Sequence, residues 1–407
     1  MVRRFGRLVA VAAIVVVIGV LSAVAATWWE HHASLTLPLL PGPYAVGRAS
    51  FDWRDDSRVD ALAPSTGVER ELTVWMWYPA RSGGASHPSD YLPPPLRAAL
   101  ARYQSPVLSL LLLHDPSTVR TRSVDGALPA ASQRPFPIVL VKPGIGAMAL
   151  DYTTLAEDLA SSGYVVVASD SPYSTVVVVY ADGRLAVRRR AANAGESAPI
   201  AEQARVARTI LPTWVGDDRF VLDRLAALDA SGPFRGRLAL DQVGAMGHSF
   251  GGATSAEFCR VDARCKAAID IDGIPFGGVV REPVRRPLMF FLSDHSRERG
   301  DAETATIMSE FRDIYRRSPP GRAMVALRGS SHFSFSDKPL LFNREIARIS
   351  GIVGSIDPVR ALDASDDVVR TFFDVHLKGA PASRFQDVRA RYPELVFSDS
   401  GVPYLGR

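Results

Sequence analysis

Residues 247–252 read Gly-His-Ser-Phe-Gly-Gly, which sets Ser249 at the centre of a Gly-x-Ser-x-Gly pentapeptide. A serine hydroxyl is a weak nucleophile until a base takes its proton, and the base needs a carboxylate to fix its tautomer. With those partners a serine attacks a carbonyl carbon and passes through an acyl-enzyme. Leu238–Met246 reads as the end of a strand and Ala253–Arg260 as the start of a helix. A tight turn between them strains the serine backbone and holds its oxygen out at a sheet edge. Glycines flank the serine because a side chain there would collide with the turn. A Gly-rich turn without chemistry has the same letters. The strand before it and the helix after it favour the nucleophile.

Of the eight histidines, His295, His332 and His376 follow Ser249. His376 falls on an amphipathic helix. His295 comes immediately after a strand. His332 follows a strand end through Arg328-Gly-Ser-Ser331, a short loop that lets it reach the serine, and it is the expected base. Three aspartates compete as the acid. Asp270 and Asp272 flank the end of the strand Ala267–Ile271, and Asp294 ends the next strand. A carboxylate beyond a strand's end reaches further than one inside it. Asp272, followed by Gly273, fits best, with Asp294 as its rival and Asp270 as a neighbouring alternative. An oxyanion hole needs two backbone N–H groups. Phe250, just after the nucleophile, offers one. Ile145 offers the other, in the loop Pro143-Gly-Ile-Gly146, which is otherwise an ordinary strand-to-helix turn.

These residues need a scaffold, and the sequence supplies one. Tyr44–Phe51 and Glu71–Tyr78 read as an antiparallel pair, the second alternating Leu72, Val74, Met76 and Tyr78 with Trp75 and Trp77. Strands are expected at Ile138–Lys142, Tyr164–Ser169, Lys266–Ile271, Pro287–Leu292 and Ala323–Leu327. Helices are expected at Asp151–Ser162, Ala201–Ala227 (broken near Pro212), Asp301–Arg316 and Ser365–Leu377, the last closing the chain. Strands alternating with helices argue an α/β fold with a mainly parallel sheet covered on both faces. Insertions are expected at about 91–129 and 170–199. The first contains the apolar run Pro106–His114, read either as a satellite core element or as a lid or lipid-contacting surface.

The chain has 407 residues, 47% hydrophobic and 22% charged, which is globular and ample for a large core. The formal charge is +4, but Arg3, Arg4 and Arg7 at the N-terminus supply most of it. The basic balance therefore gives no argument for nucleic acid. Arg188–Arg190 is a short solvated run. Leu8–Ala26 is apolar, broken by Gly19 and Ser22, and Trp28 and Trp29 follow. It reads as a signal peptide cleaved after Ala23-Val-Ala25 or as an uncleaved anchor with its arginines in the cytoplasm. Either reading places the rest outside the cytoplasm, with 1–29 as the targeting segment, 30–43 as a linker and 44–407 as the catalytic domain. Cys259 and Cys265 lie six positions apart, and an exported chain would pair them. No Cys or His cluster suggests a structural metal site, and none is expected.

With these residues in view, the chain resembles the plasma platelet-activating factor acetylhydrolase family and its bacterial relatives, in the α/β-hydrolase superfamily. The resemblance is carried by Gly42-Pro-Tyr-Ala-Val-Gly47, Trp77-Tyr-Pro79, Pro143-Gly-Ile-Gly146, Gly247-His-Ser-Phe-Gly-Gly-Ala-Thr254, Ile269-Asp-Ile-Asp-Gly273 and Leu327-Arg-Gly-Ser-Ser-His332. It implies an α/β-hydrolase fold with Ser249 as nucleophile, His332 as base and Asp272, rather than Asp294, as acid. Two departures stand out. Pro143 replaces the family's usual histidine before the oxyanion loop. The Pro106–His114 run matches the animal enzyme's lipoprotein-binding surface in hydrophobicity alone.

The implied activity is serine-dependent hydrolysis of short or oxidised acyl esters, the sn-2 ester of phospholipids among them, with no cofactor. A broad esterase, lipase or polyester hydrolase on the same triad is the alternative. A non-catalytic envelope protein binding lipid or a partner is the alternative from another class. The expected partners are a small-molecule or lipid ester and the membrane, reached through the N-terminal segment and, on the lipid-contact reading, through 106–114. The sequence gives no oligomeric state.

Overall fold

Strands form where β-branched and aromatic residues run together, because those side chains pack well on a pleated surface. The computed structural model describes residues 2–83, 87–103, 105–193, 198–295, 302–318, 321–343, 346–347 and 352–398. Its strands are β1 (Leu35–Thr36), β2 (Ala45–Val59), β3 (Glu69–Ala80), β4 (Val119–Arg120), β5 (Ser123–Asp125), β6 (Phe136–Lys142) and β7 (Val165–Ser169). They continue as β8 (Val177–Val179), β9 (Leu185–Val187), β10 (Leu238–His248), β11 (Cys265–Ile271), β12 (Leu288–Leu292), β13 (Ala323–Leu327) and β14 (Leu395–Phe397). Ten of them make one sheet in the order β14-β13-β12-β11-β10-β6-β7-β3-β2-β5. The run from β7 through β6 and β10 to β13 is parallel. β2, β3 and β14 enter antiparallel.

The helices are α1 (Val2–His32), α2 (Pro94–Leu100), α3 (Pro106–Leu112), α4 (Thr153–Ser161), α5 (Ile200–Ala230), α6 (Phe250–Val261) and α7 (Ala302–Arg317). They end with α8 (Lys338–Leu341), α9 (Pro358–Leu377) and α10 (Arg384–Arg391). One core holds Trp214 of α5, Phe258 of α6 and Phe311 of α7. The opposite core holds Leu159 of α4 with Phe372 and Phe373 of α9. The sheet divides them. The alternation in β3 therefore sorts two buried faces rather than an inside from an outside. Leu72, Val74, Met76 and Tyr78 enter the first core, and Trp75 and Trp77 the second. Parallel strands sandwiched between helices are buried on both faces, and β6 and β12 are buried along their whole length.

Two expectations need correction, and two segments gain detail. The helix at 201–227 is not broken near Pro212. α5 runs unbroken for 31 residues with the proline inside it. A proline costs a helix one hydrogen bond, and buried Ile210, Leu211, Trp214 and Val215 on either side of it hold the helix against the core. Within 30–43, read as a linker, β1 pairs with β4 and Leu37 is buried. The insertion at 91–129 supplies β5, which joins the edge of the main sheet beside β2. The helix at Ser365–Leu377 begins earlier, at Pro358, and does not close the chain, because α10 and β14 follow. Asp301, the expected first residue of the helix that becomes α7, lies outside the described residues. The 170–199 segment carries the β8–β9 hairpin.

At the N-terminus, Ala10–His32 is long and apolar enough to cross a membrane, and no residue of its most apolar stretch is buried in the protein. On the other side of the sheet's centre, Cys259 of α6 and Cys265 of β11 are joined by a disulfide over a separation of six residues. A loop that short restricts the unfolded chain by about 2 kcal/mol on the chain-entropy relation. The double variant Cys259→Ala/Cys265→Ala should lower the urea midpoint by the corresponding amount. An unchanged midpoint would mean that the bond constrains nothing the helix-to-strand turn does not already fix.

Candidate active site

Ser249 stands between β10 and α6 with φ 57° and ψ −128°. A non-glycine residue held there costs about 1–3 kcal/mol of backbone strain. Its surroundings enforce the bend. The Ser249 N–H donates to the Ile271 carbonyl at 2.7 Å, tying the turn to the neighbouring strand. A side chain on Gly251 would sit 2.0 Å from the Lys142 carbonyl oxygen, and one on Gly247 would sit 2.1 Å from that of Gly251. The elbow is thus a crossing of bare backbones.

The next strand delivers Asp272, the expected acid. Asp272 leaves β11 in a left-handed conformation, φ 52°. Its Oδ1 accepts from the Ser293 N–H at 2.8 Å and from His295 Nε2 at 3.0 Å. Its Oδ2 accepts from the Ser293 hydroxyl at 2.9 Å and from His332 Nδ1 at 2.8 Å. Burial alone would push this carboxyl up. The hydrogen bonds and charge of His295 and His332 more than reverse that, and Asp272 is held well below the usual carboxylate range. An ionised carboxylate can only accept, so both histidines donate to it. His332 then keeps Nε2 as its basic nitrogen. Its ring centroid lies 4.4 Å from that of His248, the residue before Ser249, which sets the base beside the elbow.

The two other aspartates go elsewhere. Asp270 is wholly buried under α6, where a side chain on Gly252 would meet its Oδ1 at 2.0 Å. It accepts from the Gly273 N–H at 3.0 Å, and burial pushes it well above the carboxylate range. Asp294 Oδ2 accepts from the Gly329 N–H at 2.7 Å, bracing the loop that carries His332. His376 packs against Phe372 on α9, its ring centroid 4.5 Å away.

The loop after β6 runs alongside the serine. A side chain on Gly144 would lie 3.1 Å from Ser249 Cβ. Gly146 N–H is engaged by the Ser174 carbonyl at 2.9 Å and Ala147 N–H by that of Gly144 at 3.0 Å. Ile145 lies between Gly144 and these engaged groups. Phe250 N–H is the first of α6, and the first N–H groups of a helix have no acceptor within it.

Four residues of the cluster were not assigned from sequence. Ser293 and His295 hold the acid. Both follow β12, and His295 stood out there without a role. Tyr152 donates or accepts at His248 Nδ1 across 2.8 Å. Burial, then the neighbouring His332, holds the His248 ring well below the usual imidazole range, so it is neutral packing beneath the base. No sequence signal marks Tyr152, which lies in a single 3-10 turn after the oxyanion loop. A cavity of about 910 Å³ begins here, lined by Gly146, Met148 and Phe333, and extends to Leu113, Leu341 and His31 at the end of α1.

Comparison with known proteins points the same way. The model of the family described as platelet-activating factor acetylhydrolase, isoform II, matches residues 221–382, which include Ser249, Asp272 and His332. A probable 1-alkyl-2-acetylglycerophosphocholine esterase of Arthroderma benhamiae is 25% identical over 402 residues, covering 90% of this chain and 95% of that one. The chain is thus similar to the isoform II platelet-activating factor acetylhydrolase family. The acetylhydrolase of Canis lupus familiaris is 23% identical over 61% of this chain, and the match spans 59% of the dog enzyme. Among solved structures, a ferulic acid esterase from Streptomyces cinnamoneus superposes with a TM-score of 0.72 at 27% identity, covering 90% of this chain and all of that one. The family and the fold agree: this is an α/β-hydrolase.

Three substitutions separate the candidate acids. Asp272→Asn should lower kcat by about 10⁴-fold by leaving His332 in the wrong tautomer. Asp294→Asn keeps an acceptor for Gly329 and should stay within tenfold of wild type. Asp270→Asn should also stay active and gain stability at neutral pH. Its folded carboxyl is raised, so the folded state loses stability as pH rises above the unfolded carboxylate range, and the amide removes that loss. Full activity in Asp272→Asn would overturn the assignment.

Proposed function

We propose that this ester hydrolase is a serine enzyme in which Ser249 attacks, His332 moves the proton and Asp272 orients His332. The observation that carries the reading is the buried Asp272–His332 hydrogen bond of 2.8 Å beside a serine held at φ 57°. In the first half-reaction His332 Nε2 takes the serine proton while Ser249 Oγ attacks the ester carbonyl. The Phe250 and Ile145 N–H groups stabilise the charge on the carbonyl oxygen, and His332 returns the proton to the departing alcohol. Water then attacks the acyl-enzyme with His332 again as base. Asp272 remains ionised throughout.

The substrate class we favour is a short or oxidised acyl ester, with the sn-2 ester of a phospholipid as the leading case. The names of the fungal and animal relatives support this, as does the apolar lining of the cavity, to which Leu92, Leu100, Leu113, Leu341 and Phe342 contribute. A second reading, a broader esterase, is favoured by the likeness to the ferulic acid esterase. We further propose that residues 1–29 direct export, as a cleaved signal or as an anchor, and that 44–407 form an extracytoplasmic hydrolase domain. Lipid contact at 106–114 fits this arrangement. Val107 is 64% exposed on α3, and α3 packs beside the membrane-length α1.

Ser249→Ala should abolish ester hydrolysis, by on the order of 10⁴-fold or more in kcat, without loss of fold. A fluorophosphonate probe should label wild type and not the variant. Residual turnover by the folded, unlabelled variant would sink the serine mechanism. A panel of p-nitrophenyl esters set against a short sn-2 phospholipid separates the two substrate readings.

The pH profile offers a further check. Because Asp272 is held well below the carboxylate range, kcat/KM should fall on the acid side as an imidazole protonates and show no earlier break from this carboxyl. A break in the carboxylate range that vanishes in Asp272→Asn would contradict it.

A further inference from the structure

Two of the histidines outside the acyl-transfer site stand side by side. His31 and His32 end α1, and the fold sets them against Asp115, which follows α3. One donor atom from each of the three residues lies within 4.8 Å of the others. No hydrogen bond joins either histidine to the carboxylate among the described residues.

The environment of each ring fixes its proton. His31 Nδ1 lies 2.5 Å from the Leu113 carbonyl oxygen, and His32 Nδ1 lies 2.8 Å from that of Trp28. A carbonyl oxygen only accepts, so both Nδ1 atoms carry the hydrogen. Each Nε2 is left with its lone pair. That is the tautomer of a metal-bound histidine, whose other nitrogen donates to a carbonyl that orients the ring. Asp115 Oδ1 accepts from the Ser117 N–H at 2.8 Å, which braces the third group.

The backbone around the cluster is already tied down. The Asp115 N–H donates to the His31 carbonyl at 2.7 Å, and the Thr118 hydroxyl donates to that of Ala33 at 3.0 Å. β1 and β4 pair immediately beyond. The donors therefore need little ordering to bind an ion. Three atoms at most 4.8 Å apart have a common centre within about 2.8 Å of each, against bond lengths of about 2.0–2.2 Å in zinc sites. An inward shift of under about 1 Å closes the difference.

We infer that His31, His32 and Asp115 form a binding site for a divalent transition metal of the zinc class, which clamps the end of α1 to the catalytic domain. Two neutral imidazoles and one carboxylate are a borderline nitrogen and oxygen set suited to zinc, and their net negative charge favours a dication. Three protein ligands leave a fourth position for water. His31 and Asp115 also line the 910 Å³ cavity, so the ion stands at the end of that cavity remote from Ser249. The sequence expectation of no metal site is thereby reversed. The donors are far apart in the chain, and the fold alone brings them together.

The test uses the full chain in detergent, produced without a polyhistidine tag. After incubation with zinc and desalting, wild type should retain about one zinc per chain by elemental analysis. Cobalt in its place should give the visible absorption of a low-symmetry site. His32→Ala removes an exposed ligand that bonds only its own helix. It should lose the bound metal and the cobalt spectrum while hydrolysing a soluble p-nitrophenyl ester at the wild-type rate. Zinc should raise the melting temperature of wild type and leave that of His32→Ala unchanged. Wild type that desalts free of metal, or a His32→Ala and an Asp115→Asn that both keep wild-type stoichiometry, would overturn the site. The cobalt spectrum of wild type reports on coordination whether or not a variant folds.

Discussion

The carboxylate of Asp272 is the junction on which the proposed catalytic geometry hangs. It collects four hydrogen bonds from residues that follow two neighbouring strands: Ser293 and His295 after β12, and His332 after β13. Parallel order in the sheet brings those strand ends to one edge. An ionised group this well buried is stable only if its partners are in place, because removing one leaves a charge without compensation. On the proposed mechanism, catalysis and local stability therefore share one set of contacts. The left-handed backbone at Asp272 serves the same end. Without it the carboxylate would continue along the strand, as that of Asp270 does.

The nucleophile and the oxyanion loop depend on a second constraint, the close approach of backbones at Gly144, Gly247 and Gly251. β10 lies between β6 and β11 in the middle of the sheet. The strain at Ser249 is therefore set against two packed cores, one on each face. A surface turn would relax; this one has nowhere to go. Lys142, buried at the end of β6, bonds the Ser169 hydroxyl at 2.8 Å and lies 3.6 Å from Asp217 of α5. The root of the oxyanion loop is thus fastened to the strand beside it and to the helix beneath.

Much of this was legible in the sequence because the signals are local. The elbow, the parallel strands and the loop ending in His332 each have their own pattern over a few residues. The acid was not. Asp270, Asp272 and Asp294 all stand near strand ends, and what separates them is the backbone turn at Asp272 and the neighbouring strand's Ser293, neither of which has a sequence signature. β14 was missed because three residues after a helix show no period. α5 was read as broken because Pro212 weakens a local signal that burial on both sides of it overrides. The His31, His32 and Asp115 group escaped for the opposite reason: no spacing along the chain records a meeting made by the fold.

The ends of the sheet carry a consequence of their own. An open ten-stranded sheet would offer two rows of unpaired peptide groups to any other extended chain. Here one margin is β14, three residues long, and the other is β5, which covers β2 only at Val46–Arg48. The remainder of β2 carries the exposed charges Arg54 and Asp56, which a strand docking alongside would have to strip of water. The molecule thus guards against self-association with brevity at one border and the cost of dehydrating charge at the other. Loss of the last strand would uncover β13, whose apolar Ala-Met-Val-Ala-Leu carries no such defence.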